Sequence, residues 1–64
     1  MWVEFKRVKG LKAANMWKKL YEGEGLPIRL LTERIEYLGD EFADYKICVP
    51  RSREHVAEEI DRKV

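Results

Sequence analysis

One cysteine, one histidine, two prolines and four glycines in 64 residues set the first limits. A single thiol, Cys48, excludes an internal disulfide, and Cys48 with His55 cannot complete a four-ligand zinc site. So few prolines and glycines exclude a collagen-like or low-complexity chain. No apolar run approaches the roughly 20 residues that cross a bilayer, so no membrane segment is expected. The opening Met-Trp-Val-Glu-Phe-Lys reads as a strand, not as a signal peptide. With no disulfide chemistry to exploit an oxidising compartment, the expectation is a cytoplasmic protein. Charge of one sign is also lacking. A net charge of +1 argues against wholesale polyanion binding.

What is present is the composition of a folded domain, 45% hydrophobic and 39% charged. Residues 1–64 make a single domain. A chain of this length buries only about 60% of the surface its unfolded form exposes, so self-association is one route to further stability. The near-neutral total hides an uneven distribution. Lys6, Arg7, Lys9, Lys12, Lys18 and Lys19 face only Glu4 in the first 19 residues, whereas residues 20–45 are strongly acidic. Such asymmetry suits a charged partner or complementary self-association, although ordinary solvated surface charge is the simpler explanation.

Val3 and Phe5 alternate with Trp2, Glu4 and Lys6, which predicts a strand over residues 2–8. After Gly10, the apolar residues Ala13, Met16, Trp17, Leu20 and Tyr21 recur with helical spacing, which predicts a helix from Leu11 to Glu22. The following Gly23-Glu24-Gly25 resembles a phosphate loop only in isolation. Phosphate loops hold the anion at a helix N-terminus, whereas these glycines follow a helix. Its carbonyl end, together with Glu22 and Glu24, repels phosphate. Gly23 and Gly25 are therefore expected to stop the helix, with Pro27 preventing its continuation.

Residues Leu26 to Pro50 suggest a hairpin, with Leu26–Leu31 as its first strand and a two-residue Gly39-Asp40 turn. That turn would pair Leu30 with Val49, Leu31 with Cys48, Thr32 with Ile47, Glu33 with Lys46 and Tyr37 with Phe42. A second helix should follow, capped by Ser52, with Val56, Ala57, Ile60 and Val64 on its apolar side. The order is β-α-β-β-α. A right-handed crossover then predicts strand one beside and parallel to strand three, sheet order 1-3-2, and both helices on one face. This is an α+β fold, a truncated ferredoxin-like sandwich.

Ala14-Asn-Met-Trp-Lys-Lys-Leu20, the Gly25-Leu-Pro27 stop, and Val49-Pro50 ahead of Ala57 and Ile60 carry a resemblance. They resemble a family of small prokaryotic domains described as signal-transducing proteins of unknown function, whose fold is similar to the ferredoxin-like architecture of nitrogen-regulatory PII proteins. The resemblance covers most of the chain, but its motifs are structural: a small helix residue, a helix stop and a strand exit. The acidic stretch Glu36–Asp44 departs from the pattern. A ferredoxin-like fold and a regulatory or binding role are what the resemblance implies. It implies no catalytic residue.

Few constellations could carry chemistry. Cys48 and His55 are the only thiol–imidazole combination, and strand parity turns Cys48 away from the helices, so a semi-exposed thiol and a surface histidine are expected. Asp40, Glu41 and Asp44 lack the spacing of a calcium loop. No catalytic residue, metal ligand or cofactor site is therefore assigned, and a non-enzymatic protein is expected. A basic patch of Lys6, Arg7, Lys9 and Lys12 leaves a small nucleic-acid-binding module, using the segment Lys6–Lys19, as the alternative reading. Parity also places Trp2, Leu31, Ile35, Tyr37, Phe42 and Cys48 on the sheet face opposite the helices. Either a bulge near Thr32–Arg34 returns Ile35 and Tyr37 to the core, or a partner covers them. The expected function is a regulatory or protein-interaction domain that forms a homodimer, or binds another protein, through its open sheet face or edge strand.

Overall fold

The computed structural model describes residues 1–64 throughout. Strand β1 spans Trp2–Lys9, helix α1 Leu11–Gly23, strand β2 Arg29–Leu31, strand β3 Asp44–Pro50 and helix α2 Glu54–Lys63. Short 3-10 turns lie at Ile35–Tyr37 and Arg51–Arg53. The three strands form one antiparallel sheet in the order β1-β3-β2, and the class is α+β. No helix is long and apolar enough to cross a membrane.

Two corrections concern strand direction and register. β1 runs antiparallel to β3, not parallel. The crossover through α1 makes β1 parallel to β2, and β3, reversed by the connection after β2, fits between them. The β2–β3 pairing joins Leu30 to Ile47 and Leu31 to Lys46, displaced by two residues from the expected register. An even displacement keeps every side chain on its expected face. The pairs Glu33–Lys46 and Tyr37–Phe42 do not form, because residues 32–43 leave the sheet as a broad connection instead of a tight turn.

Local chemistry explains the helix boundaries. At the end of α1, the Leu26 N–H donates to the Tyr21 carbonyl and the Gly25 N–H to that of Glu22, both at 3.0 Å. With Gly25 at φ 85°, this is a Schellman stop. Gly25 carries the left-handed residue, and Gly23 remains the last residue of the helix. Leu26 and Ile28 leave the stop buried in the core instead of starting a strand, which is why β2 is shorter than expected. Ser52 does not cap α2. The 3-10 turn after Pro50 takes it up, and the helix begins at Glu54 with no side-chain cap.

Tyr21, Leu26, Ile28, Ile47, Val49, Ala57 and Ile60 form the buried core, with Val3, Phe5, Val8 and Leu30 packed against it. Both helices lie on the Val3–Ile47–Val49 face. A break in β1 redirects the second half of that strand. Glu4 pairs with Cys48 and Lys6 with Ile47, so Phe5 is an extra residue in a β-bulge. The bulge expected near Thr32–Arg34 is on β1 instead. Beyond it the alternation shifts by one, and Lys6 turns to the helix face while Arg7 turns to the open face.

Candidate functional site

The turn of Lys6 disperses the basic patch. Its ammonium lies 3.1 Å from Asp61 of α2 and 3.4 Å from the centre of the Trp17 ring. The Tyr21 hydroxyl donates to the same carboxylate at 2.5 Å. Lys6 thus joins β1, α1 and α2 under the helix layer through a charge pair and a cation–π contact. Arg7 is on the other face, held 2.8 Å from Glu4. Lys9 lies at the end of β1 and Lys12 on α1. These four cations do not form one surface.

The expected apolar face is also divided. Trp2, Leu31 and Cys48 are on the open side of the sheet as expected. Ile35, Tyr37 and Phe42 are not on a strand and are not returned to the core: they belong to the 32–43 connection, where Ile35 is 87% and Phe42 79% exposed. Tyr37 and Phe42 line a hollow with Lys9 and Asp44 at the end of the sheet. That connection is tied down. The Gly39 N–H donates to the Tyr45 hydroxyl at 2.9 Å, and the hydroxyl donates to the Asp40 carbonyl at 2.8 Å. The Gly10 and Leu11 N–H groups donate to Ala43 and Glu41. Gly10, at φ 92°, is needed there, since a Cβ would come within 3.3 Å of the Glu41 oxygen.

Cys48 is only 5% exposed, so the semi-exposed thiol is a further correction. Arg29 and Glu4 flank it on the neighbouring strands, and the Arg29 guanidinium reaches across β3 to lie 4.7 Å from the Trp2 ring centre. Burial, followed by the Glu4 charge, pushes the thiol above its ordinary range, against the pull of Lys46 and Arg29. Such a thiol is mostly protonated at neutral pH and a poor nucleophile. His55 is exposed in the first turn of α2, beyond the 3-10 turn that follows β3. Trp2→Ala is expected to open the Trp2–Arg29 cover and raise the rate at which a small thiol reagent labels Cys48 several-fold. An unchanged rate would show that this pair does not guard the sulfur.

No group of three or more His, Cys, Asp or Glu side chains is gathered so as to hold a metal ion. The sheet has two open edges, and the longer is the outer edge of β1, eight residues against three in β2. Such an edge presents free N–H and C=O groups to another chain. A signal for its bulge was available in the sequence: Val3 and Phe5 are odd-numbered core residues, whereas Val8 is even. No strand can bury all three without an inserted residue. Comparison with protein-family models, with curated proteins and with solved structures finds no match.

Proposed function

We propose that this chain is a non-enzymatic regulatory or protein-interaction domain of ferredoxin-like type that self-associates. The observation that carries the reading is the long outer edge of β1, which no other strand of the chain covers. A ferredoxin-like sheet of four strands has its fourth strand at that position, so a strand from a second chain completes the same arrangement. The resemblance to small signal-transducing domains supports a regulatory role, and the anchored, exposed side chains of Ile35, Tyr37, Leu38 and Phe42 offer a further contact surface.

The reading predicts concentration-dependent association. Sedimentation velocity from micromolar to about 1 mM should show a reversible shift from monomer to dimer, the range in which modest interfaces dissociate. A strict monomer over that range would sink it.

A further inference from the structure

We propose that two copies pair through β1 in one register, antiparallel about a two-fold axis between Phe5 and Lys6, giving a continuous six-stranded sheet. The inference rests on the self-association reading and names its partner, a second copy of this chain, and its geometry. Opposed residues in an antiparallel pair must share a face of the sheet. The bulge assigns those faces. Trp2, Glu4, Arg7 and Lys9 lie on the open face, and Val3, Phe5, Lys6 and Val8 on the helix face, as the Glu4–Arg7 and Lys6–Asp61 contacts show.

One register satisfies this rule for all eight residues. It sets Trp2 against Lys9 of the second copy, Val3 against Val8, Glu4 against Arg7, and Phe5 against Lys6. Three of the four opposed pairs are complementary: an aromatic ring with a cation, two valines, and a carboxylate with a guanidinium. In the fourth, Phe5 and Lys6 share the helix face without clash, each held inside its own chain, Phe5 by Tyr21 and Lys6 by Asp61 with Trp17. The alternatives fail. Centring the axis on Glu4 or on Arg7 sets like charges opposite one another, and matches faces over only a short stretch. Moving the axis one residue spacing in either direction, to set Trp2 opposite Arg7 or Glu4 opposite Lys9, throws Glu4 against Phe5 or Lys6 against Arg7, residues on opposite faces.

The bulge is what makes the symmetric register available. In a regular strand, two residues three apart, such as Glu4 and Arg7, lie on opposite faces and cannot face each other across a symmetric seam. Charge and bulges ordinarily blunt an edge strand against pairing. Here both copies carry the same irregularity at the axis, so the halves on either side fall back into step. Each Glu4 then exchanges its partner within the chain for Arg7 of the second copy, an isologous contact made twice.

Charge reversal reads the register directly. Glu4→Arg and Arg7→Glu each convert both ion pairs into repulsions, and each should weaken dimerisation roughly tenfold or more in sedimentation equilibrium. An equimolar mixture of the two variants restores opposite charges at both positions and should dimerise about as well as the unaltered chain. Circular dichroism verifies that each variant is folded. Hydrogen exchange on the unaltered chain gives a readout without substitution, since β1 amides should become more protected as concentration rises. Dimerisation that both single variants leave unchanged, or that the mixture does not recover, would overturn the register while leaving self-association standing. A chain monomeric up to about 1 mM would overturn both.

Discussion

Tyr21→Ala is expected to abolish cooperative folding at 25 °C, or nearly so. The Tyr21 ring is fully buried, stacks on Trp17 at 5.7 Å and meets the edge of Phe5 at 6.2 Å. Its backbone carbonyl also accepts the bond that closes the helix stop. Removing a buried aromatic ring costs about 3–5 kcal/mol. That matches the whole stability a core of this size supplies, about 3–5 kcal/mol. Tyr21→Phe separates the ring from the hydroxyl. It keeps the packing, leaves Asp61 with Lys6, and should cost about 1 kcal/mol. Urea unfolding followed by tryptophan fluorescence measures both. A Tyr21→Ala transition within about 1 kcal/mol of the unaltered chain would show that the core is centred elsewhere.

The same hydroxyl gives the protein an alkaline limit. Burial first, then the hydrogen bond and the charge of Asp61, push the Tyr21 phenol above its ordinary value near 10. The folded state therefore binds this proton more tightly than the unfolded state. Its contribution is complete below the unfolded value and declines as pH rises above about 10 towards the higher folded value. Stability should fall over that range, and Tyr21→Phe should flatten the fall.

Legibility in the sequence follows the range of the forces involved. The stop after α1 can be read because the Gly25 and Leu26 amides bond carbonyls a few residues away and Pro27 keeps the helix from continuing. The faces of β2 and β3 can be read because alternation survives an even register shift. The path of residues 32–43 cannot: Gly39-Asp40 suits a tight turn locally, but the hydroxyl of Tyr45 and the amides of Gly10 and Leu11 hold a wider one. Strand β1 defeats simple alternation for a related reason. Lys6 looks like an outward cation until the bulge sets it against Asp61 and Trp17. Ordinary alternation hides both the dispersal of the basic patch and the self-complementary edge.

Tyr45 tests whether that wide connection depends on a single side chain. The ring is fully buried, while the hydroxyl serves Gly39 and Asp40 in the connection. Tyr45→Ala should remove about 3–5 kcal/mol with the ring, and so compete with Tyr21→Ala as the most damaging single change. Tyr45→Phe isolates the tether. It leaves the core filled, should cost about 1 kcal/mol in global stability, and should release the Gly39 amide to rapid exchange. Ile35, Tyr37 and Phe42 would then lose their fixed arrangement while the sheet, and the outer edge of β1, stay intact. If Gly39 exchanges as slowly in Tyr45→Phe as in the unaltered chain, the amides of Gly10 and Leu11 hold the connection on their own. A contact surface that needs the connection in place would fail in Tyr45→Phe, whereas pairing through β1 would not, so this one substitution separates the two surfaces.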